Sequence, residues 1–318
     1  MVVQAKRTAP HVAPMQEWRR ADGREFILLG AYFLALVLLA DALNVRLGVE
    51  LMTVAVLVAA AAITRAPRQF VRDWWFFLIG LVLWNLSGPI AAYSPFPWHL
   101  DFMLNLDHII GLGHQPAVLV QHAFATPGRL GPIDWASAFF YNLHVPEPYI
   151  AGYFLWRLSR LAYLRFAAAA LLLLVLGLIT FILFPAVPPW LATKEFGRLP
   201  NVTNLFGTVL HGYPMPFHGT PIFYVFHFRG DPVAAFPSEH AAFPLLEFLA
   251  FKPLLGKPGW LYLIWPAIVL FVILYLGEHW VTDALAGWVF ALAITFGVRR
   301  LTGTHLAGIG RTAKLASR

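Results

Sequence analysis

Apolar runs long enough to cross a bilayer core as helices, about 17–25 residues each, recur along this chain between polar or proline-rich segments. Eight runs fit this pattern, at roughly 26–43, 47–64, 74–93, 135–156, 166–184, 234–251, 260–276 and 280–298. The second is weakened by Glu50 near one end, and the sixth is short once the polar motif at its start is set aside. Tryptophan or tyrosine stands at many of the ends, where an amphipathic ring suits the membrane–water interface. The pattern predicts an all-α fold, a polytopic transmembrane bundle of about eight helices. Residues 98–110 mix polar and apolar positions and predict a helix lying in the interface.

Composition agrees with lipid as the solvent. Of 318 residues, 59% are hydrophobic and 12% charged, whereas about a quarter of a soluble domain is charged. The chain has no cysteine, which rules out disulfides, thiolate metal sites and a cysteine nucleophile. A net charge of +7 could suggest a nucleic-acid partner, but its distribution reports topology instead. With the N-terminus in the cytoplasm, eighteen of the 23 lysines and arginines fall on the cytoplasmic side. Only Arg46, Arg129, Lys194, Arg198 and Arg229 face outward. Both termini are therefore expected in the cytoplasm, and no nucleic acid is expected as a partner. Residues 1–24 are polar and basic without an apolar core, so no cleavable signal peptide is expected. Residues 1–24 and 301–318 are read as cytoplasmic tails, and 25–104 as N-terminal membrane helices with the start of an outer loop. Segments 94–134 and 185–233 then face outward, rich in Pro, Gly, His and aromatics rather than in linker residues.

Ten of the twelve histidines fall in these outer segments or the outer parts of helices, leaving His11 and His305 in the tails. The sixth run opens with Phe236-Pro-Ser-Glu-His240. Pro237 favours a helix start and Ser238 an N-cap. The free N–H groups of such a helix end bind anions, phosphate included, and His240 sits in the first turn. A capped helix with an interfacial histidine would give the same pattern. The eighth run opens with Gly277-Glu-His-Trp-Val-Thr-Asp283. Residues four apart share a helix face, so Asp283 underlies His279 and can orient its ring and stabilise its cation. A polar pair at the membrane edge is the plainer reading, but a carboxylate one turn into lipid is costly and is usually functional. Two helical passes join the motifs, so both emerge on one face of the membrane.

These motifs resemble those of the type 2 phosphatidic acid phosphatase (PAP2) superfamily, and more closely its inositol phosphorylceramide synthase-like branch. The resemblance rests on Pro237-Ser-Glu-His240 and His279-x-x-x-Asp283, supported by Phe140-Tyr-Asn-Leu-His-Val-Pro146 and Phe184-Pro-Ala-Val-Pro-Pro-Trp190. It spans a catalytic transmembrane domain at about 105–300. It implies that His279 attacks phosphorus to form a phosphohistidine, that Asp283 orients it, and that His240 protonates the leaving oxygen. It implies no metal or other cofactor, a lipid substrate carrying a phosphate or phospho-headgroup, and water or an alcohol such as a polyol or sugar as acceptor. The site would then lie on the extracytoplasmic face. The chain departs from the family pattern at Glu239, where glycine is widespread. It also lacks the usual phosphate-binding cations, since Val272 and Ile273 occupy positions held by Ser-Arg. Substitutes are sought among Arg229, Arg198 and Lys194, with Ser238 at the helix end.

His144, Glu239 and Asp107 are candidates for lining a substrate cavity. His144 could instead bond a neighbouring helix, and Asp107 could lie on a solvated interfacial face. Glu247, two turns into the sixth run, is expected to brace the site from below. Two other classes fit less of the sequence. A metal-dependent membrane hydrolase lacks a His-Glu-x-x-His cluster. A transporter using Asp283, Glu247 and His144 as a proton path would be expected to show repeats and helices broken near the midplane.

Overall fold

A computed structural model of the protein describes residues 23–42, 47–64, 67–212, 223–224 and 233–315. The helices are α1 (Gly23–Ala42), α2 (Val49–Ile63), α3 (Pro67–Ala92), α4 (Asp101–Ile110), α5 (Pro116–Phe124), α6 (Pro132–Asn142), α7 (Glu147–Leu158), α8 (Arg160–Leu183), α9 (Pro189–Lys194), α10 (Leu205–Gly212), α11 (Glu239–Leu255), α12 (Ile264–Tyr275) and α13 (Val281–Leu315). A 3₁₀ turn, Lys257–Leu263, leads into α12. Among the described residues, extended pairing longer than one residue occurs only where Leu47–Gly48 meets Phe223–Tyr224. The fold is all-α, as expected.

Among the described residues, three stretches are long and apolar enough to cross a membrane: Arg160–Leu183, Lys257–Tyr275 and Val281–Gly303. They coincide with the fifth, seventh and eighth predicted runs. The first two runs contain the shorter apolar helices Ile27–Leu36 and Thr53–Ile63. Where an interfacial helix was expected, α4 is helical from three residues later than predicted.

The fourth run departs from expectation. Residues 135–156 are not one helix but two, α6 and α7, parted by a turn over 143–146. The sequence there is His144-Val-Pro146-Glu-Pro148. Proline has no N–H to donate and crowds the preceding turn, so the ladder breaks and resumes with Glu147 N donating to Leu143 O at 2.8 Å. The break places His144 inside the bundle.

Helix α8 is the centre of the bundle, packing against α3, α7, α11 and α13. Its start is capped by Ser159, whose Oγ accepts from Ala162 N at 3.3 Å. Large rings fill the core around it. Trp74 stacks on Tyr163 with centroids 4.9 Å apart, and Phe77 stacks on Tyr149 at 4.7 Å. Beside this cluster Asp73 is buried and accepts from Arg160 Nε at 2.7 Å and Trp156 Nε1 at 3.1 Å. A buried carboxylate needs such donors, because desolvation of an unpaired charge costs several kcal/mol.

At the other end of the bundle three extended segments stitch the outer connections together. His99 N donates to Pro185 O at 2.8 Å, Val187 N to His99 O at 3.1 Å, and Ala186 N to Val233 O at 2.8 Å. Gln121 adds a side-chain bridge, donating through Nε2 to the carbonyls of Thr203 and Tyr275, each at 2.8 Å. These bonds hold the segment before α11 and the turn before α13 in one frame.

Candidate active site

Two helix starts build the site. Ser238 caps α11 through Oγ, which accepts from Ala241 N at 3.2 Å, as its position before the sixth run predicts. Its own N–H donates to the carbonyl of Asp283 at 2.9 Å, which ties the start of α11 to the first turn of α13. This close approach needs glycine at position 287, where a Cβ would lie 2.3 Å from the Ser238 carbonyl oxygen.

The start of α13 is capped from a distance. Asp107 of α4 is fully buried. Its Oδ2 accepts from Val281 N at 3.0 Å, and its Oδ1 accepts from Thr282 N at 2.8 Å and Thr282 Oγ1 at 2.6 Å. A carboxylate placed there satisfies free N–H groups and complements the positive helix end. Neither reading made for Asp107 holds: it is not on a solvated face, and its oxygens are engaged by α13 rather than turned to a substrate cavity.

His279 lies in the turn between α12 and α13, 5% exposed. Its Nδ1 is 3.0 Å from the Ala235 carbonyl oxygen and 3.3 Å from Asp283 Oδ2. Both partners only accept, so Nδ1 carries the proton and Nε2 the lone pair. Nε2 is 3.2 Å from His240 Nδ1, which therefore donates. Asp283 Oδ2 also accepts from Trp280 N at 2.8 Å, and this bond holds the carboxylate under the ring. Burial holds the His279 imidazole down at about 4, with Glu278 and the bond to Ala235 acting the other way. The ring is thus neutral across the physiological range, with a lone pair free on Nε2.

His240 is held by aromatic rings. It stacks on Tyr141 with centroids 4.2 Å apart and on His144 at 3.9 Å. Trp84 of α3 packs edge-on against His144 at 4.5 Å. The Nδ1 of His144 is buried without a hydrogen-bond partner, so His144 belongs to the histidine cluster and does not bond a neighbouring helix through that atom. Glu239 turns elsewhere. It is buried, neither oxygen has a partner, and it packs against α8 where Gly177 leaves room. Glu247, expected to brace the site from below, is buried on α11 seven residues past His240 and accepts from the Tyr262 hydroxyl.

The cation candidates do not join this group. Lys194 is 3.5 Å from Glu195 and Arg198 is 2.5 Å from Asp101, both exposed. Arg229 lies outside the described residues. Among the described residues no group of three or more His, Asp or Glu side chains is arranged to hold a metal ion.

Sequence reasoning passed over three neighbours of the site. Glu278 accepts from Trp190 Nε1 at 3.1 Å, and burial pushes its carboxyl up to about 7. Tyr141 and Trp84 supply rings around the histidines. Glu278 and Tyr141 stood inside the quoted motifs and could have been singled out there. Trp84 is an apolar residue in a membrane helix, and nothing local marks it.

A family model described as "PAP2 superfamily" matches residues 101–296. A phosphoinositol dihydroceramide synthase of Bacteroides thetaiotaomicron is 29% identical over 184 residues, covering 54% of this chain and 58% of that protein. The match thus spans little more than half of the relative's length. No solved structure matches the chain.

Proposed function

Because the chain belongs to the PAP2 superfamily, an integral-membrane family of lipid phosphoryl-transfer enzymes, we propose that it moves a phospho-headgroup from a lipid donor to an alcohol through a phosphohistidine at His279. The observation that carries this reading is the 3.2 Å contact between His279 Nε2 and His240 Nδ1. It brings a lone pair and a proton donor within reach of one phosphoryl group, which can enter between them for in-line displacement.

In the first step, the contact opens around the phosphorus. Nε2 forms the N–P bond as the P–O bond to the lipid alcohol breaks, and His240, protonated on both nitrogens beside the bound phosphate anion, passes its Nδ1 proton to the departing oxygen and is left neutral. Asp283 and the Ala235 carbonyl stabilise the positive charge that develops on the ring. In the second step, His240 takes the proton of an acceptor hydroxyl. Its oxygen attacks phosphorus, and the P–N bond breaks to restore neutral His279. Arg229, nine residues before Ser238, is the proposed cation for the phosphate, with the free N–H groups at the start of α11. An extracytoplasmic site is supported by the lysine and arginine distribution, which puts both motifs on the outward side.

Transfer to an alcohol is favoured over hydrolysis by the name of the Bacteroides relative, a synthase. By the same analogy the donor is a phosphoinositol lipid and the acceptor a sphingoid alcohol. Product analysis tests both halves. Purified protein in detergent receives headgroup-labelled phosphoinositol lipid with and without a dihydroceramide. Label transferred to the ceramide supports the reading. Free inositol phosphate that is indifferent to ceramide makes the enzyme a hydrolase, and no turnover of any phospholipid overturns the proposal.

A further inference from the structure

The end of the bundle away from the histidines holds a cavity of about 460 Å³ between α8, α11 and α13. Its walls are apolar, with Leu161, Phe166, Leu246 and Val298 among them. Two arginines stand in it, Arg165 of α8 and Arg299 of α13. No acidic residue lines the cavity, and neither arginine has an ion-pair partner among the described residues. Arg165 Nε donates to Thr302 Oγ1 at 2.9 Å, and Arg299 donates to the carbonyl of Leu249. These bonds orient the guanidinium groups but neutralise no charge.

Two further features point to a ligand. Ser159 and the first turn of the 24-residue helix α8 sit at the cavity, adding the positive end of a helix dipole. Thr295 Oγ1 is buried in the wall without a hydrogen-bond partner. The site is separate from the histidines. Eighteen residues of α13 part Arg299 from Val281, which at 1.5 Å per residue is about 27 Å.

We propose that this cavity binds an anionic phospholipid from the leaflet opposite the active site. Its phosphate lies between Arg165 and Arg299, and an acyl chain lies along the apolar wall. Paired arginines match a phosphate better than a single point charge does, because each guanidinium presents a planar fork of donors. The apolar wall reaches the lipid-facing side through Leu161 and Leu254, which are exposed. That gives an acyl chain an open path from the bilayer. A soluble anion would gain nothing from those walls. By the distribution of lysine and arginine this is the cytoplasmic leaflet, where anionic lipids draw basic groups.

The test uses the full chain in detergent, delipidated, in the His279→Ala background so that no lipid is turned over. Native mass spectrometry would count bound phosphatidylglycerol, phosphatidylcholine of the same acyl chains, and inorganic phosphate. Retention of phosphatidylglycerol at least tenfold above phosphatidylcholine, with none for phosphate, is expected. That preference should vanish in Arg165→Gln/Arg299→Gln and survive in Arg165→Lys/Arg299→Lys. Ala250→Leu, which fills the cavity and leaves both charges, should lower retention and so reports on the site if the charge variants fail to fold. Equal retention of the two lipids overturns the proposal. So does a preference that neither the glutamine pair nor Ala250→Leu changes, since the anionic lipid would then sit elsewhere.

Discussion

Nε2 of His279 and Nδ1 of His240 lie 3.2 Å apart although 39 residues separate them in the chain. Two helix starts produce this contact, and everything the site does follows from keeping the starts together. The first expectation concerns the division of labour between the rings. His279→Ala should abolish turnover and the acid-labile phosphoenzyme while the protein elutes as folded. His240→Ala should lower kcat on a lipid substrate by about 10²–10⁴, the usual range for general acid–base catalysis. It should cost much less on a substrate with a good leaving group such as p-nitrophenol. Equal losses on both substrates would remove His240 from the acid role.

Gly287→Ala tests the spacing. The added Cβ would meet the Ser238 carbonyl oxygen at 2.3 Å, a backbone atom that cannot swing away. Overpacking of this kind costs about 1–3 kcal/mol. The displaced α11 start carries His240, so kcat should fall with stability. A thermal melt together with activity measured well below the midpoint separates the two effects.

Asp107→Asn tests the remote cap. It keeps shape but removes the charge that faces the start of α13 and presents a donor to one of the two N–H groups now bound there. A loss of about 1–2 kcal/mol is expected. Because the same turn carries Asp283, kcat should fall as well, with KM nearly unchanged. A higher KM at constant kcat would instead make Asp107 a substrate contact.

The pH dependence has a definite sign. Burial holds His279 neutral down to about 4, so the acid limb of kcat/KM should fall near pH 4 rather than near the ordinary histidine value of about 6.5. The unfolded chain protonates this ring first, so between roughly 6.5 and 4 it binds more protons than the native state. This contribution to stability is therefore lost as pH falls. Glu278, pushed up to about 7, gains its charge beside the proposed phosphate position only above that pH. KM for a phospholipid should accordingly rise above pH 7 in the wild type and stay level in Glu278→Gln. Glu278 is already neutral at the acid limb, so the same substitution should leave that limb where it is. A KM that rises alike in both proteins would show that Glu278 does not act on the phosphate.

Local rules along the chain were enough for much of this protein. Apolar runs require helices where water is excluded, because backbone groups in lipid must bond within their own segment. Ser238 before an apolar run makes a cap, and four-residue spacing puts Asp283 under His279. Such features depend on neighbours within a turn or two, so they can be read in one dimension. The tertiary arrangement settled what depends on partners far away in the chain. Asp107 looked like an interfacial residue until its carboxylate met α13, 174 residues on. Trp84 lies outside the region that the family model matches, yet its ring reaches His144 and His240. Glu239 could have faced a phosphate or turned away, and only the room left by Gly177 on α8 directs it to that helix. The run through Pro146 reads as one helix, and the break there with the packing around it turns His144 into the bundle. In a close-packed interior a side chain's role is set by the helix across from it, and no period along the chain records which helix that is.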